Sequence, residues 1–507
     1  MVPDIAVDQG WRRKLVLDAA LLVALVGFTS WLGYIGFLNG DDFRYSEAAI
    51  GWVEHFPYVG VNHWGLRHPV VFPVALSFWL GGVNEFSLML PMKIYLLFLI
   101  LLTYLCLWRA IDRKTALLAS ALVAVTPVFI LPSSSPSDDL VECFFVAASF
   151  WAFYFGSGAR TSPSLLFLSG ICAGLAFVTR ETSATMVLYY GVLFLLGWRL
   201  PRAYFFLIAG GFLAVVAIDS AYLASMTGDP LYRINLSLRL ASAYENTPIT
   251  VRNGFDSVGL VAAPRPIQVV LMLFTSHLFG LTFFLLVPAG LWLWRNRGKR
   301  EPQFDIPCLS GLLGLIWFLT LPFLFTVLWM EPRYFSVTVY SAILVVALWL
   351  QTPSLQRISF ALVALLSVGG LAMIYLDNKS LMFGENILIA LARTTDEPIY
   401  SDPATRNGAN FLIKYTAPGH EVAAGAPPPG GLFFYNPTSS RLEEYGATAK
   451  IEPDSTWILL RSITEKPKLS ARVLRASGLE AALPVGVANR LDPPLHRVSL
   501  YRLPPRE

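Results

Sequence analysis

The sequence predicts a polytopic α-helical membrane protein that carries a small soluble α/β domain at its C-terminal end. Hydrophobic residues make up 55% of the 507 residues and charged residues only 14%, whereas soluble domains carry about 25% charge. The apolar residues gather in runs of roughly 16 to 27, the length that a helix needs to cross a hydrocarbon core about 30 Å thick. After residue 376 these runs stop and Pro, Gly and charge increase.

About eleven membrane spans are predicted from the apolar runs. They are expected at residues 15–38, 91–108, 115–132, 139–157, 163–179, 182–199, 203–226, 268–294, 306–328, 334–350 and 357–376. The first follows a basic cluster as a secretory signal does, but it has no convincing cleavage site and is interpreted as an uncleaved span. The cysteines all fall within spans, so no structural disulfide is predicted. They are Cys106, Cys143, Cys172 and Cys308.

The short apolar segment 69–82 decides the predicted orientation. It is too short for a comfortable span and is more typical of an interfacial helix. If it does not cross the membrane, basic residues between the later spans, such as Arg109 and Arg357, lie on the same side of the membrane as the basic residues at 12–14. Positive residues favour the cytoplasmic side, so we expect a cytoplasmic N-terminus and a multi-pass protein of the bacterial inner membrane. The net charge of +4 has the same origin and predicts no nucleic-acid partner.

The predicted orientation divides the chain into two domains. Residues 1–376 form the transmembrane domain, with outer loops at 39–90 and 227–267. Residues 377–507 form a periplasmic soluble α/β domain, with strand-like stretches at Glu397–Tyr400, Trp457–Leu460 and Val498–Tyr501. The loop 227–267 is long enough to be a lid over a bound substrate.

Two adjacent carboxylates, Asp41 and Asp42, begin the first outer loop. A carboxylate at this position can accept the proton of an attacking hydroxyl, because the membrane surface can lift its pKa into a useful range. The alternative is structural, since Asp also favours the first turn of a helix. Arg44 and Tyr45 follow directly.

Several charged residues at other predicted outer span ends are further candidates. Arg67 and Arg333 suit a phosphodiester, because a guanidinium stays charged and can bond two oxygens. Arg333 can equally be a snorkelling residue at a span end. His68 fits a phosphate contact, an interfacial position or a metal ligand. Asp138 can position an acceptor or a cation, or simply start a helix.

The stretch from Asp41 to the Gly-Leu-Arg-His-Pro element at 65–69 resembles the first periplasmic loop of bacterial aminoarabinose transferases and the related protein O-mannosyltransferases. The resemblance implies the membrane glycosyltransferase C fold, with about eleven to thirteen transmembrane helices and juxtamembrane helices in the first outer loop. It implies that Asp41, Asp42 and Asp138 are the catalytic acids. It also implies that the donor phosphate is bound by Arg44, Tyr45, Arg67, His68, Arg333 and Tyr334.

The function that this resemblance implies is inverting transfer of a hexose or pentose from a polyprenyl-phosphate-sugar donor to an acceptor on the outer face. Lipid A or lipopolysaccharide core is the expected acceptor, with protein hydroxyls as the alternative. No metal site and no certain cofactor are predicted; a divalent cation near Asp41 and Asp138 is compatible with the residues.

Two other classes of function fit a polytopic membrane protein. A transporter or flippase for lipid-linked sugars predicts charged residues near the bilayer midplane and paired broken helices, whereas most charge here lies at outer span ends. A non-catalytic scaffold that binds a partner through its soluble tail predicts no effect of replacing Asp41.

Overall fold

The fold is described from a computed structural model of the chain. The structure describes residues 9–38, 40–245, 265–296, 299, 301–325, 331–377, 382–420, 422–437, 451–483 and 485–505. Residues 246–264 of the predicted outer loop and 326–328 of a predicted span lie outside the described residues. The chain divides into two compact units, one of residues 1–34, 44–77 and 89–378, the other of residues 35–43, 78–88 and 379–507.

Helices dominate the first 377 residues. The α-helices are α1 Gln9–Leu32, α2 Asp41–Glu54, α3 His68–Gly81, α4 Glu85–Ala110, α5 Arg113–Val125, α6 Pro127–Ile130, α7 Asp138–Gly156, α8 Pro163–Thr179, α9 Thr185–Leu196, α10 Phe205–Thr227, α11 Tyr232–Glu245, α12 Arg265–Thr275, α13 Thr282–Arg295, α14 Pro302–Leu324, α15 Ser336–Leu350 and α16 Gln356–Asp377. Short 3-10 turns occur at Trp64–Leu66, Leu131–Ser134, Glu181–Ala184, Arg202–Tyr204, His277–Phe279 and Pro332–Phe335.

The predicted multi-pass membrane fold is confirmed. Within the described ranges, seven helices are long and apolar enough to cross a membrane, and the number is eight if a bent pair of helices is counted as one span. The seven are Trp11–Leu32, Glu85–Ala110, Asp138–Gly156, Arg202–Thr227, Pro302–Leu324, Pro332–Leu350 and Arg357–Leu376. The short apolar segment predicted at 69–82 forms the 14-residue helix α3.

Four predicted spans are short or broken helices. The predicted span 268–294 is interrupted at Ser276 and Gly280, between α12 and α13. Helices α8 and α9 have 17 and 12 residues, and α9 ends at Gly197 in the left-handed conformation. The predicted span 115–132 is the bent pair, which turns by 68° at Thr126 because Pro127 cannot donate the helical hydrogen bond.

Small residues allow the helices of the first unit to pack closely. Helices α8 and α10 cross at Gly170 of α8 and Gly211 of α10, each of which lies against the backbone of the other helix. A Cβ on Gly170 would lie only 2.0 Å from the Ile208 carbonyl oxygen. Such glycines permit close helix approach in membranes. Helix α15 is almost entirely buried and forms the centre of this unit.

The second unit contains a five-stranded mixed sheet near the C-terminus. Its order is β2-β1-β3-β5-β4, with β1 parallel to β2 and β3, and β5 antiparallel to β3 and β4. The strands are β1 Ile399–Ser401, β2 Val422–Ala424, β3 Leu432–Tyr435, β4 Ile458–Thr464 and β5 Arg497–Arg502. Its helices are α17 Phe383–Ala392, α18 Pro403–Thr416, α19 Leu469–Ser477 and α20 Val485–Leu491, with a 3-10 turn at Leu479–Ala482.

The α/β region that the sequence predicts at the C-terminal end is therefore present. The three predicted strand stretches match β1, β4 and β5, whereas β2 and β3 were not predicted. These two strands have only three and four residues, too few for an alternating pattern to stand out.

Candidate active site

The two adjacent acids at the start of α2 have different environments. The buried Asp42 carboxylate accepts backbone N–H groups of Leu38 and Gly40, both at 2.6 Å, and of Phe43 at 3.1 Å. Burial raises the pKa of Asp42 even though these hydrogen bonds oppose the shift. Asp42 thus closes the turn that leads into α2. Asp41 lies beside it in the first helical turn and is only partly buried, which leaves it the better candidate for contact with a substrate.

Arg67 is the centre of a buried cluster of charged side chains. Its Nη1 donates to the Tyr45 hydroxyl at 2.5 Å and to Asp138 Oδ2 at 2.6 Å, and its Nη2 lies 4.0 Å from Glu181. Burial alone would lower the pKa of Arg67, but the neighbouring negative charges, Asp138 first, raise it well above the ordinary value. Arg67 therefore remains a cation that joins α2 to the start of α7.

The backbone of Arg67 is fixed as firmly as its side chain. Its carbonyl oxygen accepts the N–H groups of Val70 and Val71 at 2.9 and 3.0 Å, which anchors it to the first turn of α3. Because both its backbone and its guanidinium are already fixed, Arg67 loses little further conformational freedom when it orients another group.

Arg180, between α8 and the next 3-10 turn, is a second buried cation of this cluster. It donates to Asp139 and lies 3.5 Å from Asp138. Its guanidinium also lies over the Tyr334 ring, 4.0 Å from the ring centre. Glu181, the next residue in the sequence, accepts a hydrogen bond from Ser237 at 2.9 Å and lies near Arg67.

Glu142, one helical turn after Asp138, completes the buried acids. It accepts hydrogen bonds from Thr182 at 2.5 Å and Ser183 at 2.7 Å, and it lies 3.9 Å from Arg180. These contacts tie α7 to the turn between α8 and α9.

Arg333 is the most accessible cation of the cluster. Its side chain is 34% exposed, against 9% for Arg67 and 6% for Arg180. The Arg333 Nε lies 2.6 Å from Glu331 and 3.6 Å from Asp139. An incoming phosphate can replace Glu331 at this guanidinium without leaving a buried charge unpaired.

The structure therefore brings together several predicted site residues that are far apart in the sequence. They are Tyr45, Arg67, Asp138, Arg333 and Tyr334. Asp41 lies four residues before Tyr45 in α2, which is one helical turn. Arg180 and Glu142 were not among the predicted site residues. The signal that could have identified them is an ionisable residue next to or within an apolar span, a position that favours function.

Two other predicted phosphate-binding residues make different contacts. The His68 Nδ1 lies 2.9 Å from Asp219, and its ring stacks on Phe72 within an aromatic group. Arg44 is exposed and pairs with Glu47 at 3.1 Å. These contacts give His68 a buried structural partner and leave Arg44 on the helix surface.

Arg233 from the predicted lid explains why His68 is held in place. It donates to both Asp219 oxygens at 2.8 and 2.9 Å. It also donates to the carbonyl oxygens of Leu66 and Val178 at 2.5 and 3.1 Å. The beginning of α11 is thereby fastened to the segment that carries Arg67.

The acids of the cluster are engaged by cations and hydroxyls rather than arranged around a metal. Within the part of the chain that the structure describes, no group of three or more His, Cys, Asp or Glu side chains has the geometry of a metal site. What the cluster offers chemically is a set of preorganised guanidinium donors, which stabilise negative charge as it develops on a leaving phosphate oxygen.

Part of the chain matches a known family model. Residues 67–222 match the family model of dolichyl-phosphate-mannose-protein mannosyltransferases, and this region includes Arg67, Asp138 and Arg180. A comparison with curated protein sequences finds no match.

Solved structures share the fold of the chain at low sequence identity. ArnT from Cupriavidus metallidurans bound to undecaprenyl phosphate aligns with a TM-score of 0.57 at 11% identity, covering 89% of this chain and 96% of ArnT. The apo form of ArnT gives 0.55 at 12% identity, with the same coverage. The Archaeoglobus fulgidus oligosaccharyltransferase in its apo form gives 0.52 at 13% identity, covering 81% of this chain and 64% of that protein.

Proposed function

We propose, starting from the glycosyltransferase C fold that this chain has, that it transfers a sugar from a polyprenyl-phosphate-linked donor to an acceptor. The observation that carries the proposal is the cluster around Arg67, in which three guanidinium groups and at least three carboxylates meet at one end of the spans. The undecaprenyl phosphate bound to ArnT, a protein of the same fold, supports a lipid phosphate as the leaving group.

The roles of the cations follow from their burial. Arg333, partly exposed and paired with the exchangeable Glu331, binds the donor phosphate and stabilises the charge that builds on its leaving oxygen. Arg67 and Arg180 are already neutralised by Asp138 and Asp139, so they hold the cluster in shape and supply positive potential.

Asp41 is the proposed general base or acceptor-orienting group. It is partly buried, and it stands one turn from Tyr45 on a helix fixed to Arg67. Asp138 is less suited to accepting a proton, because two guanidinium groups stabilise its charged form. The reaction inverts the anomeric carbon, since a single displacement by the acceptor oxygen releases the polyprenyl phosphate.

The proposed site faces the outer side of a bacterial inner membrane. The basic residues Lys14, Arg109 and Arg357 lie at the span ends opposite the cluster, and positive residues favour the cytoplasmic side. A lipid-linked donor agrees with this orientation, because its chain stays in the bilayer while the sugar enters the polar site.

Lipid A or lipopolysaccharide core is the proposed acceptor. The resemblance of residues 41–69 to the first periplasmic loop of aminoarabinose transferases supports this acceptor. Transfer to protein hydroxyls is the alternative, and the match of residues 67–222 to protein mannosyltransferases favours it.

Mass spectrometry of envelope glycolipids and glycoproteins from cells with and without this protein tests the proposed function. We expect one acceptor class to gain the mass of a single hexose or pentose. The sugar mass identifies the donor, and the class of molecule that carries it decides between lipid and protein acceptors. Identical spectra from cells that make the folded protein would overturn the proposal.

A further inference from the structure

A groove on the membrane-facing side of the first unit carries an unexplained positive charge. It lies between α1, α4 and the end of α16, has a volume of about 730 Å³, and is lined mostly by apolar side chains, among them Val26, Leu97 and Tyr375. Large apolar residues on its rim, Trp31 and Ile94, are 72% and 41% exposed. In a membrane protein, such faces contact lipid.

Lys93 is the charged residue among those that line this groove. Its Nζ is buried and has no hydrogen-bond partner among the described residues, and the same holds for the Ser30 hydroxyl on the facing helix. A lysine near a span end usually extends its amine to the water interface. A buried ammonium without a partner is unfavourable, so an anion bound in the groove would stabilise the charged form of Lys93.

Lys93 and Ser30 lie at the same depth. The Tyr104 hydroxyl donates to Asp18 at 2.5 Å, which puts those two residues of α4 and α1 side by side. Lys93 lies eleven residues before Tyr104, and Thr29, next to Ser30, lies eleven residues after Asp18. Lys93 and Thr29 each lie about 16 Å from the contact between Tyr104 and Asp18, towards the same end of the two antiparallel helices.

That depth corresponds to the headgroup side of the bilayer core. Lys93 is sixteen residues from Arg109, or roughly 24 Å along α4. With Arg109 at one boundary of a core about 30 Å thick, Lys93 lies near the other boundary. From there the groove extends along α1 as far as Val23. Val23 lies nine residues before Leu32, so the two residues are about 14 Å apart along the helix axis. This distance is about half of the hydrocarbon thickness.

We propose that this groove is a binding site for an anionic diacyl phospholipid of one leaflet. The lipid phosphate binds Lys93 and Ser30, and an acyl chain lies along the apolar wall and ends at the midplane, where the groove ends. A longer polyprenyl chain would extend beyond it. The site is separate from the cluster around Arg67 and does not depend on sugar transfer.

Gly27 shows that the groove has room for a chain. It lines the cavity, and a Cβ placed on it would meet no atom within 4 Å. Gly27→Leu therefore fills the groove without displacing protein atoms. Gly191 is the matched control, because it has the same open surroundings in a different apolar groove between α8, α9 and α10 that has no charged lining residue.

Native mass spectrometry of the purified full chain tests the site, with phosphatidylglycerol and phosphatidylcholine of identical acyl chains as probes. We expect the protein to retain phosphatidylglycerol with about tenfold preference. Lys93→Met should abolish the preference, Lys93→Arg should keep it, and Gly27→Leu should reduce retention of the lipid. Gly191→Leu should behave like the unmodified protein.

Two results would overturn the proposal. One is a Lys93→Met protein that still prefers phosphatidylglycerol. The other is displacement of phosphatidylglycerol by an equimolar amount of undecaprenyl phosphate, if Lys93→Met changes the fraction that is displaced. That result would assign the groove to a polyprenyl lipid. If Lys93→Met fails to fold, Gly27→Leu still decides the case, since undiminished retention in that variant rules the groove out.

Discussion

Two of the arginines predicted to bind the donor phosphate, Arg67 and Arg333, differ in how deeply they are buried. Arg67 is 9% exposed and bonded to Tyr45 and Asp138, whereas Arg333 is 34% exposed. Removing one partner of a buried ion pair leaves an uncompensated charge and costs about 3–5 kcal/mol. Exposed pairs contribute about 1 kcal/mol or less. Arg67 is thus mainly structural and Arg333 mainly available to a ligand.

We therefore expect Arg67→Met to lower the free energy of unfolding by about 3 kcal/mol and Arg333→Met to lower it by less than about 1 kcal/mol. Arg333→Met should instead weaken binding of undecaprenyl phosphate by about tenfold or more, since a charge-assisted bond to phosphate is lost. Unfolding in detergent and lipid-binding titrations measure the two effects. Equal losses of stability in both variants would contradict this division of roles.

His63 connects stability to pH. Burial first, and then the nearby Arg67 charge, lower the pKa of His63 to about 3, so the folded protein keeps the imidazole neutral. The unfolded chain binds a proton below its ordinary pKa of about 6.5. The contribution of His63 is therefore fully present above pH 6.5 and is lost as the pH falls toward 3.

Between pH 7 and pH 5 this one histidine should cost about 2 kcal/mol of stability. Over the same pH interval, we expect the free energy of unfolding to fall by about 2 kcal/mol less in His63→Gln than in the unmodified protein. Unfolding at each pH measures the difference. The same dependence on pH in both proteins would show that His63 is accessible to protons in the folded state.

Sequence patterns identified the residue types of the site better than their partners. The motif residues and the predicted topology pointed to Arg67, Asp138 and Arg333, and the structure brings these three into one cluster. The contacts of Arg180 and His68 could not be predicted, because they depend on which span ends become neighbours. For Asp42 the sequence left two interpretations open, a catalytic acid and a residue that starts a helix, and its backbone contacts agree with the second.

At the scale of elements, the crossing of α8 and α10 depends on two glycines. A Cβ on Gly170 would lie 2.0 Å from the Ile208 carbonyl oxygen, and one on Gly211 would lie 2.2 Å from the Phe167 carbonyl oxygen. Both obstacles are backbone atoms, so the helices themselves must move apart. This crossing also sets the position of Arg180 at the end of α8 and of Asp219 on α10.

We expect Gly170→Ala to destabilise the protein by roughly 1–3 kcal/mol, despite the higher helix propensity of Ala. Gly191→Ala, on a helix face with no atom within 4 Å, is the control and should be neutral or slightly stabilising. Thermal unfolding of both variants in the same detergent makes the comparison. Equal midpoints would mean that the helices do not approach each other so closely.

Element positions were more predictable than element continuity. Apolar runs located α1, α4, α7, α10, α14, α15 and α16, and the short α3, because hydrophobic length is the dominant constraint on a span. The bend at Pro127 and the break between α12 and α13 were missed, since apolar composition continues across both. A proline or glycine in a membrane helix is tolerated often enough that it does not by itself predict a break.

At the scale of the whole molecule, the ends of spans that are distant in the sequence supply one charged cluster. The starts of α7 and α15 contribute acids and Arg333, the end of α8 contributes Arg180, and the first loop contributes Arg67. The fold therefore provides a polar site beside lipid, which a reaction between a membrane-bound donor and an acceptor requires. The α/β region near the C-terminus has a sheet, and no motif in its sequence predicted a role.

The role of Asp41 is tested most directly by the glycan content of the acceptor in cells that make Asp41→Asn, compared with cells that make the unmodified protein at equal abundance. Glu54→Gln, at the exposed far end of the same helix, is the matched control. We predict that Asp41→Asn abolishes the added sugar mass while undecaprenyl phosphate binding persists, and that Glu54→Gln retains both. Full glycosylation by the Asp41→Asn protein would contradict the proposed site of sugar transfer.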